Sequence, residues 1–423
     1  MKVAGSIRVP GDKSLTHRAL LLAALAPGTS ILHGALTSLD TRSSAGVLRR
    51  LGAAVSPLAP GRAVRIRGRP RFRRPAAPLN CGNSGTTTRL LLGLLAAHAF
   101  RTTLTGDRSL RRRPMRRVTV PLSLMGARFK EHRQDGLPLT VFGGPLRPLT
   151  YEMPVSSAQI KSCLLLAGLA GEVEVAVREP RGRSRDHTER MLRAFGYPVI
   201  DDDGWIRFAP EGRLLPFEMR LPGDASSAAF PIGAALLAES GELRIADVGL
   251  NPTRTGFLGV LARMGVRPEI HNRREEMGEP LGDLIVRPTG LRATAVEAGE
   301  IPGLIDEIPL LAVLAARARG TTVFREVGEL RVKESDRLQL IAENLRAVGG
   351  RADVVGNDLH VEGVQTPPRG SVRTDGDHRL AMAFAVLGTL PGGRVDIDDL
   401  ECASVSYPGF AEMLAAIRVD GEP

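Results

Sequence analysis

The chemistry-bearing residues of this chain gather in short polar segments that open onto apolar runs. In GDKSLTHRALLLAAL, Lys13 and Ser14 stand just before such a run and Arg18 about one turn into it. A point charge, a hydroxyl and a planar guanidinium fork together suit an oxyanion with neighbouring hydroxyls. The GxxxxGK[ST] spacing of a nucleotide-binding P-loop is absent. In NSGTTTRLLLG, Gly85 marks a tight turn where a ligand can approach the backbone. Downstream, TGDRSLRRRPMRR holds six Arg between Arg108 and Arg117. One or two of these need face a substrate, and the rest read as a solvated face. In ELRVKESDRLQLIAENLRAVGG, Lys333 and Arg337 are four apart, which predicts one shared helix face, with Glu334 beside Lys333. A carboxylate amid fixed cations and a phosphate can exchange protons with carbon or oxygen. The plainer alternative there is an exposed ladder of charges along a helix. GDHRLAMAF sets His378 and Arg379 at a helix start, where both can meet an anion.

The elements that position these segments recur. A polar opening followed by a Leu- and Ala-rich helix occurs six times, and markers at Lys13, Gly85, Ser157, Ala225, Asp306 and His378 are spaced 72, 72, 68, 81 and 72 residues apart. A second helix follows each opening and usually ends at Gly, as in LRRLGAAV and LARMGVRPEI. Between them lie short alternating runs such as AVRIRG, TVFGG, WIRFAP and DLIVRP, the pattern of half-buried strands. Each unit reads strand–helix–strand–helix–strand, too large for the common solenoid repeats. Two lobes of three α/β units are the simplest packing. The openings begin with helix-capping residues, and a helix N-terminus carries free amides and partial positive charge. Such ends facing one cleft would trap anions. For a single opening, simple capping is the commoner role; six openings with Lys13, Arg18, Arg89, Gln159, Asp306, His378 and Arg379 favour a site.

Composition narrows the classes. The 423 residues are 43% hydrophobic, which rules out disorder as the main state, while aromatics are only 4%, so Leu, Val and Ala must build the core. Basic residues exceed acidic by 57 to 46, which predicts acidic partners. Only five of the 57 are Lys. Cys81, Cys163 and Cys402 are far apart without a CxxC, which excludes a disulfide framework and a thiolate zinc site. No apolar run reaches the roughly 18 residues of a membrane helix, and MKVAGSIRVPGDKS lacks the apolar stretch of a secretion signal. A soluble cytoplasmic protein is expected. A nucleic-acid-binding reading would need aromatics interleaved with a basic face; scattered Arg and scarce aromatics argue against it.

Taken in order, GDKSLTHR, GNSGTTTR, RRRPM, SSAQIKS, SRDHTERML, GDASSAAF, IDEIP, RVKESDR and GDHRLAMAF span residues 11 to 384. This ordered set resembles the enolpyruvyl transferases, and within them the branch acting on shikimate 3-phosphate. The resemblance implies an α/β (α+β) fold: a two-lobed inside-out barrel, each lobe three βαβαββ repeats with helix N-termini facing the inter-lobe cleft. One lobe would be residues 12–222, making shikimate 3-phosphate contacts. The other would join 1–11 to 223–423, with phosphoenolpyruvate and catalytic contacts, and the lobes would close on substrate. The implied reaction moves the enolpyruvyl group of phosphoenolpyruvate to the 5-hydroxyl of shikimate 3-phosphate through a tetrahedral intermediate. No metal or organic cofactor, nucleic acid or membrane partner is implied, and a monomer is expected.

The resemblance also implies roles, residue by residue. Lys13 would touch both substrates and serve the proton transfers. Ser14, Arg18, Ser157, Ala158, Gln159, Ser184 and Lys333 would hold shikimate 3-phosphate, with Asp306 as base on its 5-hydroxyl. Gly85, Arg113, Gln159, Arg337 and Arg379 would grip phosphoenolpyruvate, and Glu334 would handle the methylene proton with His378 nearby. Three positions depart from the familiar pattern: Val405 replaces a C-terminal lysine, Glu329 an Asn, and His187 a Tyr near the shikimate phosphate. Gly85 implies sensitivity to the phosphonate glyphosate. The sister transferases acting on UDP-N-acetylglucosamine typically carry Asn after the first-loop lysine and often a loop Cys; here Ser14 follows Lys13, and TGDRSLRRRPMRR has no Cys.

Overall fold

The computed structural model describes residues 1–180 and 182–419. Its first half holds α1 (Lys13–Leu25), α2 (Leu39–Arg50), α3 (Gly85–Ala96), α4 (Arg116–Leu124), α5 (Ala158–Gly171) and α6 (His187–Ala194). The second holds α7 (Ala225–Leu237), α8 (Gly256–Arg263), α9 (Ile308–Ala315), α10 (Arg337–Ala347), α11 (His378–Leu387) and α12 (Phe410–Ala416). The odd-numbered helices other than α9 start where a short polar residue ends the preceding loop. Side chains of Asp12, Ser84, Asp224 and Asp377 each accept a first-turn amide of α1, α3, α7 and α11, while Ser157 ahead of α5 makes no such bond. These helices are buried nearly all round, which suits their continuous Leu and Ala. The even-numbered helices other than α12 stop at glycine: Gly52 and Gly265 both sit at φ +97°, which reverses the chain at little steric cost.

The strands complete a repeated βαβαββ unit. Leu79–Asn80 leads through α3 to Arg101–Thr105, then through α4 to the antiparallel pair Arg128–Glu131 and Leu139–Phe142. The first two strands pair in parallel, and Leu139–Phe142 lies between Arg101–Thr105 and Arg128–Glu131. Parallel neighbours need a crossover, which the helix provides. The same order recurs in the sheets of 149–208 and 295–362. The first repeat takes its opening strand from Glu218–Arg220, parallel to Gly28–His33. In the sixth, Arg369–Val372 and Arg394–Ile397 pair in parallel, while Arg418–Val419 joins Lys2–Arg8, itself parallel to Ser240–Gly249. The α/β repeat expected from the spacing is observed, with a fourth strand in most of these sheets that the strand–helix–strand–helix–strand reading lacks.

The chain divides into two compact units: Gly11–Leu221 with Glu275–Glu279, and Met1–Pro10 with Pro222–Arg274 and the residues from Pro280 onwards. Each has its own aliphatic core. A fully buried leucine stabilises by about 1.5–3 kcal/mol, so leucine-rich helices offset the scarcity of aromatics. In the first unit α3 lies hard against α5: a Cβ on Gly93 would fall 2.1 Å from the Cys163 carbonyl oxygen. No helix among the described residues is long and apolar enough to cross a membrane.

Candidate active site

In the unit of residues 11–221, the N-terminal ends of α1 and α3 carry the predicted residues. Lys13 Nζ pairs with Asp40 of α2 at 2.5 Å. Arg18 is buried: Nε donates to Thr188 Oγ1 at 2.8 Å, Nη2 to Ser162 Oγ at 2.6 Å and Nη1 to the Ser14 carbonyl at 3.0 Å. Burial pulls its pKa down to about 10, so it stays charged at neutral pH. Arg185, just ahead of α6, donates to Ser14 Oγ at 3.4 Å. Around Gly85, Arg113 Nη2 donates to Asn83 Oδ1 at 2.6 Å, and a Cβ on Gly85 would lie 3.3 Å from Arg113 Nη1. Arg89 donates to Gln159 Oε1 and, at 3.0 Å, to the Pro114 carbonyl; Gln159 Nε2 donates to Thr86 Oγ1 at 3.1 Å. Gly85, Arg113 and Gln159 are thus brought together, with Ser157 and Ala158 at the start of α5 beside Gln159.

Ser184 behaves differently. Its N–H donates to Glu179 Oε2 at 3.1 Å and its carbonyl accepts Lys161 Nζ at 3.2 Å, while its buried hydroxyl has no hydrogen-bond partner among the described residues. It lies over the buried Lys161–Glu179–Glu189 group. His187, in the place of the expected Tyr, is buried at the start of α6 with Nδ1 2.8 Å from Glu279 Oε1. One expectation needs correction here. The tight turn of the second opening falls at Gly82 (φ +60°), and Gly85 instead opens α3. Much of the Arg excess also lies away from these openings. Arg62, Arg65, Arg67, Arg71, Arg73 and Arg74 are exposed, on a segment whose Arg69 and Arg73 amides bond the Ala24 and Leu51 carbonyls at the C-terminal ends of α1 and α2. Cations are favoured near such ends.

In the other unit, Asp306 stands just before α9 and three guanidinium groups converge on it. Arg379 Nη2 lies 3.4 Å, Arg337 Nη1 3.6 Å and Arg254 Nη1 4.0 Å from its carboxylate, and its carbonyl accepts Arg379 Nη1 at 3.1 Å. Arg337, buried at the first position of α10, also donates to Asp377 Oδ2 and Glu334 Oε2, each at 2.6 Å. Burial opposes its charge, but Asp377 and Glu334 more than compensate, so its pKa rises. His378 is buried at the first position of α11, directly after Asp377. Glu307 accepts the Ser226 hydroxyl, which also accepts Arg254 Nη2 at 2.6 Å. Burial raises the Glu307 pKa against the pull of Arg254 and Arg379.

Lys333 and Arg337 do not share a helix face. Lys333 follows a short 3-10 turn (Gly328–Val332), and α10 begins only at Arg337 because Asp336 Oδ1 caps it by accepting the Gln339 amide at 3.1 Å. The charged-ladder alternative fails for the same reason: Glu334 bonds Arg337, and Asp336 is a cap. Lys333 is nonetheless close electrostatically. Desolvation and Arg337 push its pKa down, and Asp306 and Glu334 oppose them.

Several residues of these clusters escaped the sequence reading. Asp40 had one signal, as the lone acid between Asp12 and Asp107. Arg185 and Glu307 lay inside quoted motifs beside the residues chosen. Asn83 likewise lay inside the quoted GNSGTTTR motif, two positions before Gly85, whereas Arg254 had no signal, because only the fold brings it in.

Each cluster therefore sets cationic side chains beside helix N-termini and carboxylates, an arrangement that suits anionic ligands and proton transfer. Among the described residues no group of His, Cys, Asp and Glu could hold a metal ion. The family profile of EPSP synthase (3-phosphoshikimate 1-carboxyvinyltransferase) matches residues 1–414. The 3-phosphoshikimate 1-carboxyvinyltransferase of Gloeobacter violaceus is 48% identical over 99% of this chain and 97% of its own. That of Thermosynechococcus vestitus is 46% identical over 98% and 95%. An EPSP synthase structure from Acinetobacter baumannii covers 98% of this chain and 96% of its own at TM-score 0.87 and 37% identity. The enolpyruvyl transferase NikO of Streptomyces tendae, at 20% identity and TM-score 0.77, shares the fold. With the family profile and these relatives running almost end to end, the chain belongs to the EPSP synthase (3-phosphoshikimate 1-carboxyvinyltransferase) family.

Proposed function

We propose that this chain performs its family's reaction, transferring the enolpyruvyl group of phosphoenolpyruvate to the 5-hydroxyl of shikimate 3-phosphate with release of phosphate, and that its residues divide the work as follows. Residues 12–222 take shikimate 3-phosphate. Ser14, Arg18, Ser157, Gln159 and the Ala158 amide hold its anionic groups and hydroxyls, with Arg185 added to this set through its bond to Ser14. Ser184 is kept in the set with its hydroxyl as the group on offer. Residues 1–11 with 223–423 supply Asp306 as the base that takes the 5-hydroxyl proton, assisted by Lys333. Arg337 and Arg379, with Arg113 and Gly85, bind phosphoenolpyruvate.

The observation that carries this reading is Asp306 with Arg254, Arg337 and Arg379 within 4.0 Å. The carboxylate is the group that can take the hydroxyl proton, and the three guanidinium forks around it are the groups that can meet the charge of the leaving phosphate. The Arg337 guanidinium is held by Asp377 and Glu334, that of Arg254 by Ser226 and that of Arg379 by the Asp306 carbonyl, so they need little reorganisation as charge develops, which is where electrostatic catalysis gains most. Addition requires a proton on the methylene carbon, and elimination requires its return to a base. Glu334, bonded to Arg337, is the carboxyl for that exchange, and Lys13 stabilises the change in charge. No step calls for a redox centre. Phosphate release on mixing the protein with phosphoenolpyruvate tests the proposal: release that depends on shikimate 3-phosphate is expected. Release without it, or none with both, refutes it. A protein monomeric and cytoplasmic in the cell completes the proposal, and sedimentation of the purified protein tests the first part.

A further inference from the structure

A line of fully buried polar groups runs behind the substrate-facing ends of three helices. Two rungs join α1 to α2 with matched spacing: Lys13 to Asp40, and His17 to Ser44, each pair of positions four apart on its own helix and so on one face. His17 Nδ1 lies 2.8 Å from Ser44 Oγ, and Ser44 Oγ lies 2.7 Å from Thr87 Oγ1 of α3. Thr87 Oγ1 donates to Ser84 Oγ at 2.7 Å, and the Thr87 amide donates to the same oxygen at 3.1 Å, which is the N-cap of α3. Ser44, Thr87, Ser84 and His17 are each 0% exposed.

We propose that His17, Ser44 and Thr87 are positioning residues that set the N-terminal turn of α3, and with it Gly85 and Arg89, against the Lys13 and Arg18 end of α1. The proton order follows from the last link. If Thr87 gives its hydrogen to Ser84, it must accept from Ser44, and Ser44 in turn must accept from Nδ1–H of His17. Each hydroxyl then gives one bond and takes one, so the chain has a single direction and a defined length. That direction requires the proton on Nδ1, and Nε2, which has no hydrogen-bond partner among the described residues, is then the unprotonated nitrogen of the neutral ring. Burial, with help from Lys13 and Arg18 and against Asp40, holds the His17 pKa near 3, so the ring is neutral at any working pH. Apolar side chains of similar volume would fill this space with less demand on geometry. Directional bonds instead fix where α3 begins relative to α1, and sub-ångström placement of binding groups is what turnover is sensitive to.

This inference rests on the reading that Gly85 and its neighbours bind phosphoenolpyruvate, and the test separates the two. Ser44→Ala removes one hydroxyl from the middle of the chain, and Thr87→Val removes the next with little change of shape. Each is expected to raise KM for phosphoenolpyruvate about tenfold while leaving KM for shikimate 3-phosphate within about twofold, since the Arg18 and α5 contacts remain. The double variant should be no worse than either single one, because one break already uncouples the chain. Thr87→Ser keeps the hydroxyl and should restore the normal KM. His17→Phe should match Ser44→Ala if it folds; the smaller substitutions decide the matter if it does not. Wild-type KM for phosphoenolpyruvate in folded Ser44→Ala, or equal changes in both KM values alongside a lowered melting temperature, would overturn the positioning role. Failure of the wild-type protein to release phosphate would instead remove the underlying reading.

Discussion

Asp377→Asn tests whether Arg337 is held for its task by a buried counter-ion. Asp377 is 0% exposed at the N-cap of α11. Its Oδ1 accepts the Arg379 amide at 3.0 Å; its Oδ2 accepts Ser335 Oγ at 3.0 Å and Arg337 Nε at 2.6 Å. Asparagine keeps the shape and the capping oxygen, so what is lost is the charge facing Arg337. Removing one partner of a buried pair costs about 3–5 kcal/mol. Arg337 keeps Glu334 at 2.6 Å and Asp306 at 3.6 Å, which points to the lower end of that range. The variant should therefore lose about 3 kcal/mol and still fold, given the roughly 5–15 kcal/mol of an ordinary domain. The sign of the pH dependence follows from the depressed pKa: burial alone would raise it, but Arg337 and His378 outweigh burial and hold the carboxyl below its ordinary value. Its contribution is thus present above the unfolded value of about 3.9 and is lost as pH falls through the folded one. Urea unfolding of both proteins, followed by circular dichroism, should show the full gap at pH 7 and a shrinking gap below about pH 4. With Arg337 drawn towards Asp306 and Glu334, kcat/KM for phosphoenolpyruvate should fall about tenfold or more. A gap under about 1 kcal/mol at pH 7, or one that is unchanged in acid, would refute the reasoning.

Three other substitutions address the chemistry and the second opening. Lys13→Met and Glu334→Gln should each keep a folded protein and lose turnover by about 10²-fold or more, measured as phosphate release; near-normal rates in either would remove that residue from the mechanism. Gly85→Ala places a methyl 3.3 Å from Arg113 Nη1 and 3.9 Å from Arg89 Nη1. It should raise the inhibition constant of glyphosate more than KM for phosphoenolpyruvate and leave KM for shikimate 3-phosphate unchanged, and equal inhibition constants in variant and wild type would contradict it.

The repeat and the helix starts were legible in the amino-acid order because their causes are local. Asp12, Ser84, Asp224 and Asp377 cap the next turn through their own side chains, and glycines such as Gly52 end helices through their own φ. The same local rule explains why spacing alone misplaces Lys333: Asp336 caps α10, so the helix that the four-residue spacing to Arg337 predicts begins only at Arg337. The residue types around Gly85 and Asp306 were also readable from their motifs, since each motif is a short stretch of chain.

Tertiary structure decided which groups meet across the gaps between those stretches. Asp40 reaches Lys13 across 27 positions, Arg254 reaches Asp306 across 52, and Ser44 joins His17 to Thr87. No local propensity encodes such pairs, because a charge or hydroxyl on a helix is equally compatible with solvent until packing removes the water. Once βαβαββ units stack their helices, the buried polar groups must find one another, and that requirement rather than any motif chose the partners of Lys13, Arg18, Arg337 and Asp306.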